Sequence, residues 1–182
     1  MPKARFEESE VEIEKLRSEH APLFDRFISD SVDENSFLRD DALAGQRFRL
    51  SDTYLLVEKK TRRIVSYISL YIGSFKLSRK RTFHKVKIKD KPYSVKRLRH
   101  MPCLIIGRLA TNKEDEGRGA ATLLIASAIK QAHRINELIS FPFLAVHAYR
   151  EKIPFYEKKG FKIAFTPSRQ AKVYTMYVHL FE

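Results

Sequence analysis

The sequence has little of what anchors a chain in a membrane or suits it to an oxidising compartment. It has one cysteine, Cys103, so no disulfide can form within the chain. Its longest apolar runs are far too short to cross a bilayer, and its charged first residues lack the apolar core of a signal peptide. We therefore expect a cytosolic protein that folds as a single domain over residues 1–182, a length that allows a sizeable core.

Two common phosphate-binding motifs are also missing, and so are metal-ligand clusters. The turn at Gly117 and Gly119 is not followed by the Lys-Ser/Thr of a Walker A loop. Thr122 stands where a dinucleotide-binding Gly-x-Gly-x-x-Gly motif needs its third glycine. The six histidines and the cysteine show no metal-ligand spacing, so we expect no metal.

What the chain does contain is a strand, a glycine-rich turn and a helix in direct succession. The apolar run Cys103–Ile106 predicts a buried strand, and after polar residues Gly117 and Gly119 precede a long run with helical apolar spacing. Glycine lets backbone N–H groups point the same way, and the helix adds unpaired N–H donors and the positive end of its dipole. This arrangement predicts a phosphate or pyrophosphate site. The alternative is a tight turn into a core helix that binds no ligand.

The turn resembles the loop of a known enzyme superfamily. Glu116-x-x-Gly119-x-Ala121 is similar to the acetyl-CoA loop of the GNAT acetyltransferases, whose pattern is Gln/Arg-x-x-Gly-x-Gly/Ala, and Glu116 is the departure. A second segment, Pro154-Phe-Tyr-Glu-Lys-Lys-Gly-Phe161, resembles the Phe-Tyr-Glu-Lys-x-Gly-Phe segment near the end of many members. The two motifs lie in the family order at a compatible distance.

The order of predicted elements is also the order found in that superfamily. Apolar periodicity predicts a strand, two helices, three strands, a helix, a strand, a helix and two final strands. The resemblance implies an α+β GNAT fold with a mixed, mostly antiparallel central sheet of about six to seven strands. That sheet would be splayed between its fourth and fifth strands and flanked by about four helices.

The resemblance implies that acetyl-CoA is the acetyl donor and assigns residues to it. The pantetheine arm would pair with the backbone at the end of the fourth strand, and the pyrophosphate would accept from the loop N–H groups. The carboxylate of Glu116 would have to turn outward, whereas Arg118 would add a charged contact if its side chain folded over the loop. The implied cofactor-binding residues are Leu109, Ala110, Thr111, Glu116, Gly117, Arg118, Gly119, Ala120, Ala121 and Thr122.

Tyr156 is the residue expected to take part in catalysis. In similar enzymes the tyrosine of the Phe-Tyr pair lies beside the thioester sulfur, and a protonated phenol can donate to the departing thiolate. The alternative is a helix residue that only packs its ring. No general base stands out. His147, on the predicted fifth strand, faces either the site or the core, and Cys103 is typical of a small core residue.

One segment carries most of the positive charge. Residues 76–99, within an insert over 76–100, hold eleven Lys and Arg residues and one acid, which is +10 of the formal net charge of +13. The segment is loop-like in composition, and interleaved aromatics would stack on bases while the cations attract a polyanion. The alternative is a solvated loop that aids solubility or meets an acidic protein. The expected nucleic-acid contacts are Arg79, Lys80, Arg81, Lys85 and Lys87.

A narrower resemblance is to the GNAT toxins of bacterial toxin–antitoxin pairs, which acetylate aminoacyl-tRNA. The segments Ile13–Arg17, Phe24–Ile28, Thr53–Val57 and above all Ile106-Gly-Arg-Leu-Ala110 are similar to theirs, as is a basic insert before the strand. In that comparison Arg108 is structural or shapes the site. The departures are Glu116, where the toxins usually have Gln, a spacing about one residue short before Phe155, and a longer basic insert.

These observations together predict an N-acetyltransferase that moves acetyl from acetyl-CoA directly to a primary amine. The favoured acceptor is the amino group of an aminoacyl-tRNA. Two alternatives stay open: an enzyme for a small amine or a protein N-terminus, and a non-catalytic acyl-CoA-binding or nucleic-acid-binding module. The expected partners are acetyl-CoA, tRNA or another polyanion bound through residues 76–99, an antitoxin and a second copy of the chain, with no membrane.

Overall fold

The computed structural model describes residues 4–76, 84–88, 91–94, 100–164 and 170–181, and for residues 84–88 and 91–94 it describes the backbone alone. The described strands are β1 Val11–Lys15, β2 Asp52–Glu58, β3 Ile64–Lys76, β4 His84–Ile88, β5 Lys91–Ser94, β6 His100–Thr111, β7 Phe143–Tyr149, β8 Lys162–Ile163 and β9 Val173–His179. The described α-helices are α1 Val32–Ser36, α2 Ala42–Arg47, α3 Ala120–Asn136 and α4 Ile153–Glu157.

Seven of the strands form one sheet in the order β1-β2-β3-β6-β7-β9-β8. The pairs β1–β2, β2–β3, β7–β9 and β8–β9 are antiparallel. The prediction of a mostly antiparallel α+β sheet of six to seven strands with about four helices is therefore confirmed. The splay between the fourth and fifth strands stays a prediction.

The basic insert contains a structure that its composition did not predict. The segment is loop-like in sequence, but β4 and β5 pair antiparallel within it, with Lys87 opposite Pro92 and Ile88 opposite Lys91. Valine and isoleucine alternate with lysine along β4, which suits a strand, and the abundance of charge concealed this period. Arg79, Lys80 and Arg81 lie outside the described residues.

The chain divides into two compact units. The first unit comprises residues 1–71 and 106–134, and the second unit comprises residues 72–105 and 135–182. The first unit contains β1, β2, the start of β3, the end of β6, α1, α2 and most of α3. The second unit contains β4, β5, β7, β8, β9 and α4. The prediction of a single domain is not tested by this division.

The core of the first unit forms between its strands and its short helices. Its buried members pack into one hydrophobic cluster, and they are Leu16, Phe24, Phe27, Leu38, Ala42, Leu55, Val57, Ile64, Tyr67 and Ala110. Phe24 lies in a 3-10 helix, Ser18–Arg26, at a place where the sequence predicts a helix, and Phe27 is the residue that caps the C-terminal end of that helix. Pro22 lies inside that helix and has no N–H to donate, which favours the tighter turn.

The core of the second unit is built from aromatic rings. Phe143 of β7 lies opposite His179 of β9, and its ring meets the rings of Phe75, Tyr177 and His179 at centroid distances of 5.4, 5.1 and 4.9 Å. Edge-to-face contacts of this kind favour one packing arrangement over others. They fix the strand pair that leads into α4, the helix that carries Tyr156.

An ion pair between Glu14 and Arg62, at the β1 edge of the sheet, should make part of the free energy of unfolding depend on pH. The hydrogen bond from Arg62 to Glu14, helped by His20, lowers the pKa of Glu14 from 4.5 to about 2. A depressed carboxyl pKa stabilises the fold fully above pH 4.5, and the contribution disappears as the pH falls toward 2. Glu14→Gln should therefore lower the free energy of unfolding by on the order of 2 kcal/mol at neutral pH.

The measurement is urea unfolding of the wild type and Glu14→Gln between pH 7 and pH 2. The two curves should converge in acid because the wild-type carboxyl becomes protonated there. Lys15→Ala is the matched control, since its ion pair with Asp52 has both side chains 46% exposed and should contribute little. A constant difference between wild type and Glu14→Gln across the whole range would contradict this account.

Candidate active site

The glycine-rich turn between β6 and α3 has the conformation that the sequence predicts. A 3-10 turn, Lys113–Asp115, follows β6, and then Gly117 and Gly119 adopt φ angles of 81° and 87°. A Cβ built at either glycine would meet no protein atom within 4 Å. The left-handed dihedral angle therefore requires glycine, and the space beside both residues is open.

Several backbone donors at this turn have no acceptor in the part of the chain that the structure describes. Among the described residues, no acceptor receives the N–H groups of Gly117, Gly119, Ala120 or Ala121. These groups precede or begin the 17-residue helix α3, so its dipole adds positive potential at the same place. Gly117 is exposed, whereas Gly119 and Ala121 are half-buried and Ala120 is buried. Because buried backbone N–H groups are normally satisfied, an anionic ligand is the natural acceptor here.

Two of the predicted donors are engaged elsewhere. The N–H of Thr122 donates to the carbonyl of Gly119 at 3.0 Å, and the N–H of Arg118 donates to the carbonyl of Asp115 at 3.2 Å. The donor set for a phosphate is accordingly smaller than the stretch from Gly117 to Thr122 that the sequence predicts. Glu116 is exposed, as a carboxylate next to a pyrophosphate would need to be.

The Arg118 side chain does not fold over the glycine-rich turn, as a charged contact with the cofactor would require. Its guanidinium carbon lies 3.5 Å from the centroid of the Phe6 ring, and its Nε donates to the carbonyl of Ala4 at 3.1 Å. Its other contact is Asp115 Oδ1 at 3.0 Å. Arg118 therefore ties the turn to the N-terminal segment, and the predicted charged contact with the cofactor requires these bonds to break.

Asp115 is the centre of an ionic cluster that fixes the turn. Its side chain is 1% exposed and receives two hydrogen bonds from Arg63, one of them 2.8 Å long, besides the bond from Arg118. The bond to Asp115 raises the pKa of Arg63, and Arg63 Nε also donates to Glu58 at 3.0 Å. We call Glu58, Arg63, Asp115 and Arg118 the Asp115 cluster.

Asn112 supplies a second anchor for the same turn. It is 5% exposed, and its backbone N–H donates to the carbonyl of Val65 at 2.8 Å. Its side-chain amide donates to the carbonyl of Arg26 at 3.2 Å, and the N–H of Lys113 donates to the carbonyl of Ile28 at 2.8 Å. The start of the turn is thus bonded to β3 and to the segment before α1.

The predicted pantetheine-binding residues lie at the end of β6. Leu109 and Thr111 are half-buried, whereas the Ala110 side chain belongs to the core and its carbonyl accepts the Ser66 hydroxyl at 2.6 Å. The Ser66 hydroxyl also lies 3.1 Å from Thr111 Oγ1. Pairing of this strand end with a pantetheine arm stays a prediction.

Arg108, just before these residues, joins a polar group built on α1. Its guanidinium lies 3.4 Å from Glu34 Oε1 and 5.2 Å from the centroid of the Phe37 ring. The buried hydroxyl of Tyr67 donates to Glu34 Oε2 at 2.7 Å, and burial together with that contact raises the pKa of Tyr67. Phe37 begins a π-helical turn, Phe37–Asp41, between α1 and α2, a feature that often marks functional sites.

Tyr156 lies on α4 of the second unit and is 7% exposed. Its ring packs edge to face against Phe155 and Phe161, with centroid distances of 5.1 and 5.5 Å. Its backbone carbonyl accepts the N–H groups of Lys159 and Phe161, which closes the helix. The packing holds the ring in one orientation, and its part in catalysis stays a prediction.

For the other chemically reactive residues of the second unit, the structure gives no sign of a catalytic role. His147 is exposed and its Nδ1 lies 3.1 Å from Thr175 Oγ1, so it faces solvent and not the core. Cys103 is fully buried, and desolvation raises the pKa of its thiol to about 12, which leaves the thiol protonated. Lys85 and Lys87 lie on β4, where only the backbone is described.

Within the described ranges, no group of three or more His, Cys, Asp or Glu residues is placed to hold a metal ion. The same part of the chain contains no helix long and apolar enough to cross a membrane. The turn offers backbone amide donors, so it suits a phosphorylated ligand more than a cation.

The role of Gly119 can be tested by one added methyl group. Gly119→Ala should weaken acetyl-CoA binding about tenfold, because an L-residue at φ 87° is strained and relaxation turns the amide donors away. Isothermal titration with acetyl-CoA measures the affinity. Gly160→Ala is the matched control: its φ of 86° imposes the same strain outside the turn, so it should lower stability and leave affinity unchanged. Equal losses of affinity in the two variants would contradict the assignment.

Comparison with known proteins places these features in context. The family described as an acetyltransferase (GNAT) domain matches residues 29–177. Among solved structures, AtaT complexed with acetyl-methionyl-tRNAfMet is 23% identical with a TM-score of 0.74, over 93% of this chain and 94% of that one. A tyrosine-to-phenylalanine mutant of KacT is 19% identical with a TM-score of 0.74, over 94% and 95%. A structure described only as a bacterial toxin has 15% identity and a TM-score of 0.76, over 93% and 90%. At these identities the likeness is one of fold.

Proposed function

Since the chain belongs to the acetyltransferase (GNAT) domain family, we propose that it transfers acetyl from acetyl-CoA to the amino group of an aminoacyl-tRNA. One observation supports acetyl-CoA as the acetyl donor. The backbone N–H groups of Gly117, Gly119, Ala120 and Ala121 have no hydrogen-bond acceptor among the described residues. A pyrophosphate satisfies several such donors at once.

Direct transfer needs few groups from the protein. The neutral amine attacks the thioester carbonyl, a C–N bond forms, and the C–S bond of the tetrahedral intermediate breaks. Tyr156 donates its phenolic proton to the departing sulfur and regains a proton that the amine nitrogen has lost, directly or through water. The α-amino group of an aminoacyl ester has a lowered pKa and is partly neutral already, so a dedicated base is not needed.

The acceptor half of the proposal is supported by charge and by fold. The formal net charge of +13 favours a polyanionic substrate. AtaT, whose structure covers nearly the whole chain at a TM-score of 0.74, was solved with acetyl-methionyl-tRNAfMet. Aminoacyl-tRNA is a cytosolic substrate, and a protein that acetylates it would act in the cytosol. AtaT was also solved with the C-terminus of its antitoxin AtaR, so an antitoxin is the protein partner we propose.

Transfer of radiolabelled acetyl tests the proposal. The protein is incubated with labelled acetyl-CoA and with charged tRNA, deacylated tRNA, small primary amines or peptides. Label on charged tRNA that disappears after mild alkaline cleavage of the aminoacyl ester is the expected result. Label on small amines or peptide N-termini and none on tRNA would overturn the acceptor and favour the second function. Cofactor binding without transfer to any amine would leave a non-catalytic module.

A further inference from the structure

Two side chains of the first unit, Glu34 of α1 and Arg108 of β6, form an ion pair that is looser than the Asp115 cluster. Arg108 Nη1 lies 3.4 Å from Glu34 Oε1, and the Arg108 side chain is 39% exposed while that of Glu34 is 21% exposed. Charge-assisted hydrogen bonds between such groups are usually about 2.7–2.9 Å long. The two residues, which we call the Glu34–Arg108 pair, are therefore weakly joined and open to solvent.

Glu34 is held in place by contacts other than the one with Arg108. Its backbone N–H donates at 3.3 Å to Ser31 Oγ, the N-terminal cap of α1. The hydroxyl of the fully buried Tyr67 donates to Glu34 Oε2 at 2.7 Å and lies 2.8 Å from the Glu34 carbonyl oxygen. These contacts fix the carboxylate through Oε2, so Oε1 has only one long contact and can accept a further hydrogen bond.

Arg108 is also held in position and keeps unused donors. Its guanidinium carbon lies 5.2 Å from the centroid of the half-buried Phe37 ring, which stacks on the ring of Tyr67 at 6.0 Å. A guanidinium has five N–H donors, and in the described part of the chain its one acceptor is Glu34 Oε1, at 3.4 Å. The pair therefore presents a carboxylate oxygen and N–H donors side by side.

The place of the pair in the chain suits the acceptor of the proposed reaction. Arg108 directly precedes the predicted pantetheine-binding residues 109–111 in β6. A cofactor whose pyrophosphate lies at the glycine-rich turn, and whose arm follows the strand back from Thr111 to Leu109, would bring its thioester to the region of Arg108. The acceptor amine has to meet the thioester there.

An α-aminoacyl group has the pattern of donor and acceptor that complements the pair. Its amine nitrogen donates a hydrogen bond and its carbonyl oxygen accepts one, and standard bond lengths place these two atoms about 3 Å apart. The Arg108 donor and the Glu34 acceptor are 3.4 Å apart. A simple alkylamine lacks the carbonyl, and a β-aminoacyl group moves its amine away by one further carbon–carbon bond of about 1.5 Å.

We propose that the Glu34–Arg108 pair recognises the α-aminoacyl group of the acceptor, with Glu34 Oε1 accepting from the attacking amine and Arg108 donating to the acyl carbonyl oxygen. The inference rests on the proposed function and deepens it, because the pair selects α-amino carbonyl compounds among primary amines. The hydrogen bond to Glu34 orients the amine and leaves its lone pair free to attack the thioester. The carboxylate also stabilises the positive charge that develops on the nitrogen.

The test compares two forms of charged tRNA that differ only in the position of the amine. One carries an α-amino acid and the other carries its β-amino homologue, and kcat/KM for acetyl transfer is measured with each. The wild type should prefer the α-amino form about tenfold or more. Glu34→Gln and Arg108→Met should each lower kcat/KM for the α-amino form about tenfold and leave the β-amino form unchanged, because each removes a charged hydrogen bond that only the α-aminoacyl group makes.

Glu19→Gln and Arg39→Met are the matched controls. These residues of the first unit form loose surface pairs with Arg17 and Asp25, each at 3.9 Å, and both variants should keep the wild-type ratio of α-amino to β-amino transfer. That ratio does not depend on the fraction of folded protein, so a merely structural role of the pair would lower both rates equally. A wild-type ratio in Glu34→Gln and Arg108→Met would overturn the inference and leave the proposed function standing.

Failure of the proposed function gives a different result. If the wild type acetylates neither form of charged tRNA, the proposed acceptor is wrong, and the comparison is repeated with an α-amino acid methyl ester and its β-amino homologue. A preference for the α-amino ester that Glu34→Gln and Arg108→Met abolish would support the pair as the recognition site without tRNA. Equal transfer to both esters by the wild type and the variants would overturn the inference together with the proposed acceptor.

Discussion

Replacing Tyr156 with phenylalanine is expected to lower kcat about a hundredfold or more while leaving the affinity for acetyl-CoA unchanged. Without the phenol, the departing thiolate must take its proton from water, and positioned general acids typically contribute about 10²–10⁴ in rate. The fold should be retained because the ring of Tyr156 packs against Phe155 and Phe161, and phenylalanine preserves both contacts. Single-turnover acetyl transfer and calorimetric titration measure the two quantities separately.

Tyr177→Phe is the matched control for this experiment. Tyr177 belongs to the same unit, is 7% exposed as Tyr156 is, and also packs edge to face against a phenylalanine, Phe143. The substitution also removes one hydroxyl, but it should leave kcat near that of the wild type. If Tyr156→Phe turns over like Tyr177→Phe, Tyr156 is a packing residue and the proton must reach the sulfur by another route.

Replacing Asp115 with alanine is expected to damage both stability and cofactor binding. The Asp115 carboxylate is 1% exposed and holds Arg63 and Arg118, so its loss leaves two guanidinium groups without their shared partner. Breaking one side of a buried ionic contact typically costs about 3–5 kcal/mol. Because Asp115 lies two residues before Gly117, the turn should also lose its fixed geometry, and acetyl-CoA affinity should fall at least about tenfold.

Urea unfolding and acetyl-CoA titration measure these two effects. Asp52→Ala is the matched control, since Asp52 pairs with Lys15 at 2.7 Å but both side chains are 46% exposed. That pair should contribute under about 1 kcal/mol, and its loss should leave cofactor affinity unchanged. An Asp115→Ala protein with the affinity of Asp52→Ala would mean that the Asp115 cluster does not position the turn.

The parts of the site that sequence predicted are those encoded locally. Gly117 and Gly119 have positive φ angles, and α3 begins directly after them, because glycine spacing and apolar period act over a few residues. Glu116 is exposed, and the orientation of its carboxylate relative to a ligand stays a prediction. Local patterns of this kind specify backbone geometry, so this geometry can be predicted from the sequence without knowledge of the tertiary structure.

The contacts that hold the turn were not predictable in the same way. Arg63 precedes Asp115 by 52 residues, and only the pairing of β2, β3 and β6 within the sheet brings them together. The sequence predicts a charged contact from Arg118 to the ligand only if its side chain folds over the loop, but Phe6 and Ala4, far away in sequence, hold that side chain. The strand pair β4–β5 was missed because dense charge concealed a period of two.

The structure of the protein with acetyl-CoA bound tests the central claim most directly. We expect pyrophosphate oxygens within about 3 Å of the backbone nitrogens of Gly119, Ala120 and Ala121, and of Gly117 where the ligand reaches it. The helix α3 should begin at the same residue as in the free protein, since these donors already have no acceptor among the described residues. A cofactor whose phosphates lie elsewhere, with these four amides still without an acceptor, would contradict the account.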